Sequence, residues 1–168
     1  MKKTIMIIVL FAVLIGLGTA ATINAVDGKK GSTAPVFKVE SNDTIVSLDD
    51  MKGHWVLLQF WATTDAKSRI LTKQYSDLIR TNPAKRPSSD RFRFLAINMD
   101  RSEDLFKEIA KIDGTNEIAQ FHVSGKKAGK LVNDYHLENG MHSYLINPQG
   151  KIVAKDPTKQ QLIDFKVE

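Results

Sequence analysis

The stretch "WVLLQFWATTDAKSR", Trp55 to Arg69, joins a predicted strand to a predicted helix. Its first half is a near-continuous apolar run of strand length, which is typical of a strand that is covered on both faces. Asp65 then begins a helix, because apolar residues recur at helical spacing from Ile70 to Ile79. The sequence therefore predicts a buried strand, a short turn and a helix start, in that order.

The neighbouring segments extend this pattern in both directions along the chain. Before it lie a short extended segment and a strand predicted over Thr44–Leu48. After it we predict a strand in "RFRFLAINM", an amphipathic helix in "SEDLFKEIAKI" and a short strand in "IAQFHV". A helix in "KAGKLVNDYHL", a β-hairpin in "HSYLINPQGKIVAK" and a closing helix in "TKQQLIDFKVE" then follow. This order predicts an α/β domain whose central mixed sheet carries helices on both faces.

Composition limits the classes of function that are open to the chain. Its 168 residues, 42% of them hydrophobic, suffice for the core of one domain. The net charge of +5 is mild, and the local basic cluster (Lys85, Arg86, Arg91 and Arg93) lies in a segment that contains proline and serine and forms no long basic stripe, so no nucleic-acid partner is expected. The chain contains no cysteine, which excludes thiol nucleophiles, disulfides and cysteine-ligated zinc. No metal site and no cofactor is predicted.

The N-terminus has the three parts of a secretory signal peptide. Two lysines are followed by an apolar run from Ile5 to Leu17 and then by small residues, with plausible cleavage after Ala20, Ala21 or Ala25. The alternative is an uncleaved membrane anchor, and in either case we expect export to the periplasm or the outer face of the inner membrane. The predicted boundaries are a leader at residues 1–25, a linker at 26–33 and a folded domain at 34–168.

Three motifs resemble one known family in their order and spacing. They are "GSTAPVFKV", "IVSLDDMKGHWVLLQFWAT" and "NDYHLENGMHSYLINPQGKIV". The chain, from about Gly31 to its end, resembles the thioredoxin superfamily and in particular its TlpA-like, AhpC/TSA-related branch of thiol–disulfide oxidoreductases. The resemblance implies a thioredoxin-like fold with a Cys-x-x-Cys motif at the start of the first long helix.

The chain departs from this family at each position that carries redox chemistry. Asp65 and Ser68 stand where the family has its two cysteines, and Thr64 replaces the aromatic residue before the first of them. The family's cis-proline position falls on Met141, and an acidic residue of some members falls on Leu71. Because neither aspartate nor serine can form a disulfide, we predict that the chain has no thiol–disulfide oxidoreductase activity.

The helix start admits two interpretations. In the first, Asp65 is an N-cap whose carboxylate accepts hydrogen bonds from backbone N–H groups of the first turn. In the second, the loop around Met141 brings His142 beside Asp65 and Ser68, and the three side chains form a hydrolase-type triad. The second interpretation requires a Ser68–His142 hydrogen bond and an Asp65–His142 hydrogen bond.

The leading functional hypothesis is binding of a protein or peptide partner in the bacterial envelope, without redox chemistry. The candidate binding residues are Trp61, Thr64, Asp65, Ser68, Met141 and His142. We expect a trans Gly140–Met141 bond, since a non-proline cis bond costs about 2.5–4 kcal/mol, and pairing of an extended peptide with this loop remains open. The alternatives are a hydrolase built on Ser68, His142 and Asp65, and a structural remnant without separable activity.

Overall fold

The computed structural model of the chain describes residues 31–41, 44–81 and 91–164. The predicted leader at residues 1–25 lies outside these ranges, and so do Lys85 and Arg86 of the basic cluster. Within the described ranges, no helix combines the length and the hydropathy that a membrane span requires.

The described residues form seven strands and four α-helices. The strands are β1 (Lys38–Ser41), β2 (Thr44–Ser47), β3 (Trp55–Trp61), β4 (Phe92–Asn98), β5 (Gln120–His122), β6 (Ser143–Ile146) and β7 (Ile152–Lys155). The helices are α1 (Ala66–Thr81), α2 (Glu103–Ile112), α3 (Gly125–Tyr135) and α4 (Lys159–Asp164). Each predicted segment is present, and their order along the chain is the predicted one.

Five of the strands form one mixed sheet in the order β5-β4-β3-β6-β7. The central strand, β3, runs parallel to β4 and antiparallel to β6, and in this register Leu58 lies opposite Leu95 and Tyr144. The remaining strands, β1 and β2, form a separate antiparallel pair. The predicted α/β architecture with a mixed central sheet is confirmed.

Helices cover both faces of this sheet, and successive side chains of β3 point alternately to one face and to the other. Phe60 points to the face covered by α3, where its ring lies 4.8 Å from the ring of Tyr135. Trp61 points to the opposite face and packs edge-on against Phe106 of α2, with the ring centroids 5.8 Å apart. On this second face Tyr75 of α1 also packs against β4. The sequence prediction of two covered faces is therefore correct.

The first long helix, α1, buries a mostly polar side. Its buried residues are Ser68, Thr72, Tyr75 and Ser76. Ile70, which belongs to the apolar pattern that predicted the helix, is instead 57% exposed. The helix is held by hydrogen bonds as well as by apolar burial, and it leaves one large apolar side chain at the surface.

The last residues of the predicted linker belong to the folded domain. The N–H of Gly31 donates to the carbonyl of Ile152 at 2.7 Å, and the N–H of Ile152 donates to the carbonyl of Ser32 at 2.8 Å. Thr33 forms an antiparallel bridge with Lys151. These residues therefore satisfy backbone groups at the open edge of the sheet beside β7.

Candidate functional site

The turn between β3 and α1 is closed by Asp65. Its carboxylate accepts the backbone N–H of Ser68 at 2.8 Å, in the first turn of α1, which is the predicted N-cap contact. The hydroxyl of Ser68 donates to the carbonyl of Asp65 at 3.0 Å and accepts the N–H of Ala62 at 3.4 Å. Ser68 is 1% exposed, so its side chain fastens the turn and does not present itself to solvent.

The charge on Asp65 is stabilised by its surroundings. Burial raises the pKa of this carboxyl, but the hydrogen bonds with Ser68, together with the backbone N–H of Met141, outweigh burial and hold the pKa below its ordinary value. The ammonium group of Lys67 lowers the pKa of Asp65 further. The effect of Met141 on this pKa is consistent with the predicted position of the loop before β6 beside the helix start.

A second acidic residue, which sequence reasoning missed, holds the same turn from the neighbouring strand. Both carboxylate oxygens of Asp100 lie 3.1 Å from the backbone nitrogen of Thr63. Asn98 donates to the same carboxylate at 2.7 Å, and the ring of His122 contacts the Asp100 carbonyl at 2.7 Å. The carboxyl ends of parallel strands lie at the same edge of a sheet. The position of Asp100 directly after β4 could therefore have predicted that it lies near the turn after β3.

The loop before β6 uses its backbone groups within the chain. The N–H of Gly140 donates to the carbonyl of Leu137 at 3.3 Å, and the N–H of Met141 lowers the pKa of Asp65. The carbonyl of His142 accepts the N–H of Phe60 at 2.9 Å, which continues the pairing of β3 with β6. Among the described residues there is no cis peptide bond, so the Gly140–Met141 bond is trans as predicted. An added peptide strand would have to displace these bonds.

The catalytic triad of the alternative interpretation is not formed. Nδ1 of His142 lies 2.7 Å from a carboxylate oxygen of Asp156, whose other oxygen accepts the backbone N–H of Ser143 at 2.9 Å. The hydroxyl of Ser68 is bonded to the Asp65 carbonyl instead of to an imidazole. The hydrolase hypothesis is therefore unsupported, because the end of β7 supplies the histidine with a different carboxylate.

A surface groove of about 350 Å³ lies along the first two turns of α1. Residues that line it include Thr63, Thr64, Arg69, Ile70, Lys73 and Asp113. The guanidinium of Arg69 binds the carboxylate of Asp113 through two hydrogen bonds, at 2.5 and 2.7 Å, and lowers the pKa of that carboxyl. Lys73 donates to the Asp113 carbonyl at 3.0 Å. These contacts give the groove a polar wall beside the exposed side chain of Ile70.

The predicted binding residues divide by exposure. Trp61, like Ser68, is 1% exposed and packs in the interior, so neither side chain is available to a partner. Thr64 is exposed and lines the groove, whereas Asp65 and Met141 are partly exposed beside it. Sequence reasoning did not select the groove residues of α1 beyond its first turn, although an apolar residue between an arginine and a lysine was visible there.

Comparison with known proteins places these features in a family. The sequence profile of the AhpC/TSA family matches residues 30–155 of the chain. The thiol-disulfide oxidoreductase ResA of Bacillus subtilis (strain 168) is 29% identical over 125 residues. This match covers 74% of the chain and 65% of ResA, so the chain spans less than two thirds of that relative's length.

Solved structures agree with the fold. The thioredoxin domain of a thiol-disulfide oxidoreductase from Bacteroides vulgatus superposes with a TM-score of 0.69 at 26% identity, and the match covers 81% of this chain and 94% of that one. A thioredoxin-like protein from Parabacteroides distasonis is 33% identical with a TM-score of 0.59, and the match covers 67% of this chain and 79% of that one. The architecture is thioredoxin-like.

Proposed function

Because the chain belongs to the AhpC/TSA family and yet contains no cysteine, we propose that it is a non-redox thioredoxin-like domain that acts by binding a protein or peptide partner. Exchange of a disulfide begins with attack by a thiolate. Asp65 precedes α1 and caps it, and Ser68 is buried in the first turn of the helix. The inherited scaffold therefore serves to hold a surface in place.

The observation that carries the proposal is the groove beside this turn. Ile70 is 57% exposed there, next to Thr64 and the Arg69–Asp113 ion pair. A single exposed isoleucine is common on protein surfaces, but here it lies in a groove with a polar rim, and an apolar centre with a polar rim is typical of protein interfaces. The turn is fixed from two sides, by Asp65 and by Asp100, so a partner meets a surface that is already ordered.

The contact is expected to rely on side chains more than on strand pairing. The N–H of Gly140 already donates to the carbonyl of Leu137, and the carbonyl of His142 already accepts the N–H of Phe60. A peptide that paired with this loop would first have to break those hydrogen bonds, and each net bond is worth about 0.5–1.5 kcal/mol. Binding along α1, where Thr64 and Ile70 are exposed, requires no such rearrangement.

We also propose that the domain works outside the cytoplasm, in the periplasm or at the outer face of the inner membrane. The support is the charged, apolar and small-residue pattern of residues 1–25. Contact with the membrane would then be limited to this segment, if it is retained. N-terminal sequencing of the protein recovered from the envelope tests the proposal. A terminus after Ala20, Ala21 or Ala25 supports cleavage, and recovery of the protein in the cytoplasm refutes export.

Site-directed photo-crosslinking tests the binding proposal. A photoreactive amino acid replaces Thr64 in the full-length protein, in the bacterium that carries the gene. The matched control is Gln149, which is exposed at the far end of the sheet in the β6–β7 turn. The expected result is a discrete adduct from position 64 alone. No adduct from either position favours a structural remnant, and hydrolysis of an ester or peptide panel that is lost on His142→Ala would overturn the binding proposal.

A further inference from the structure

A second groove lies on the sheet face that carries α3. It has a volume of about 220 Å³ and runs between the segment before β1 and the first turns of α3. It shares no lining residue with the groove beside Asp65. The two surfaces are therefore separate, and binding at the second groove does not depend on the function proposed for the first.

The floor of this groove is apolar and firmly held. Phe37, Val123 and Leu131 line it, and each is at most 8% exposed because it belongs to the main hydrophobic core. Val36 stands at the edge and is 51% exposed. A large apolar side chain at the surface beside a well-packed apolar floor provides an anchor point that does not have to form upon binding.

The rim of the groove is basic. Lys38 on β1 and Lys127 and Lys130 on α3 line it, and all three are exposed. Lys130 is paired with Asp134, but within the described residues neither Lys38 nor Lys127 forms an ion pair. The first turn of α3 contains no acidic residue, so the positive end of the helix dipole adds to the field of the lysines. The groove therefore presents positive charge around an apolar floor.

We infer that this groove binds an acidic segment of a partner protein that inserts one bulky apolar side chain between flanking carboxylates. The volume of the groove limits the anchor to a single side chain, because sites for whole small molecules measure about 300–1,000 Å³ and this groove is smaller. The basic rim favours acidic residues on either side of the anchor in the partner, since complementary charges steer association and select the partner. Val36 and the floor contact the apolar anchor, and Lys38 and Lys127 contact the carboxylates.

The probe for this inference is a fluorescent peptide of aspartate and glutamate residues with one central phenylalanine. Its anisotropy is measured with the full-length protein at low and at high salt. We expect saturable binding that weakens with salt and falls about tenfold when the phenylalanine is replaced by alanine. Lys127→Glu and Val36→Ser are each expected to weaken binding about tenfold, and both positions are exposed, so neither change removes a core contact.

The matched control is Lys67→Glu, because Lys67 is also an exposed lysine in the first turn of a helix. It is expected to leave binding of the peptide unchanged. If Lys67→Glu and Lys127→Glu weaken binding of the peptide equally, the effect comes from the overall charge of the protein, and the inference is overturned. Absence of saturable binding would overturn it as well. So would binding of phosphatidylglycerol vesicles that depends on Lys127 while the peptide does not bind, because the groove would then serve a membrane surface.

Discussion

Replacement of Asp65 by alanine is expected to destabilise the protein through the lost cap of α1. The carboxylate accepts the N–H of Ser68, and the backbone N–H of Met141 lowers the pKa of the same carboxyl. Alanine leaves the N–H of Ser68 without this acceptor and removes a negative charge from the helix start. The change therefore loosens the first turn of α1.

The magnitude can be worked from the cap. Loss of an N-cap costs about 0.5–2 kcal/mol, typically about 1 kcal/mol. A loss of about 1 kcal/mol corresponds to a decrease in Tm of roughly 4 °C for a domain of this size.

The dependence of the unfolding free energy on pH separates the contribution of the Asp65 charge from that of its hydrogen bond. The folded-state pKa of Asp65 is below its ordinary value of 3.8. The charge therefore contributes stability above that ordinary value, and the contribution is lost as the pH falls through the folded-state pKa. Asp65→Asn retains an acceptor oxygen but no charge. The difference in unfolding free energy between wild type and Asp65→Asn should shrink as the pH is lowered from about 6 to about 3.

Thermal and urea unfolding of the purified protein provide the assay. Thr64→Ala is the matched control, since Thr64 is the exposed neighbour of Asp65, and its effect should stay within about 0.5 kcal/mol. A Tm of Asp65→Ala equal to that of the wild type would refute the capping role. A destabilisation that Asp65→Asn shows equally at all pH values would refute the role of the charge.

Three further predictions test other parts of the structure. The double variant Asp65→Cys/Ser68→Cys should form an intramolecular disulfide, seen by mass spectrometry as the loss of two hydrogens, and two persistently free thiols would contradict the inherited geometry. Gln59→Met removes a buried amide oxygen that has no partner among the described residues, and it also removes the Nε2 group that donates to the Phe60 carbonyl at 2.6 Å. Because these two effects oppose each other, the unfolding free energy should change by less than about 1 kcal/mol, and a larger loss in urea unfolding would show that the amide oxygen is satisfied as well. Arg69→Gln should lower the unfolding free energy by about 1 kcal/mol at neutral pH and by less once Asp113 is protonated. A loss of unfolding free energy that persists in acid would exclude the ion pair as its cause.

Local patterns explain why much of the fold was predictable. The apolar run of β3 and the helical spacing that follows Asp65 are properties of neighbouring residues, and both elements occur where the sequence places them. The cap at Asp65 was equally accessible, because its acceptor and donor lie three residues apart. The burial of Trp61 was harder to predict, since it depends on α2 covering that face of the sheet.

Contacts between distant residues explain the errors. The triad hypothesis brought His142 near Asp65 through the packing of its loop, but sequence alone does not say which carboxylate the imidazole meets. The hairpin of β6 and β7 contains a register shift and places Asp156 beside the ring. The Arg69–Asp113 ion pair joins residues 44 positions apart and was likewise not predictable from local pattern.

The dissociation constant of the partner captured from position 64 tests the role of the groove most directly. It is to be measured for the wild type, for Ile70→Asp and for Ile45→Asp, a matched control because Ile45 is 65% exposed and does not line the groove. Binding through the groove predicts a loss of at least about tenfold for Ile70→Asp and no change for Ile45→Asp. An unchanged constant for Ile70→Asp, in a protein whose melting temperature is also unchanged, would contradict it.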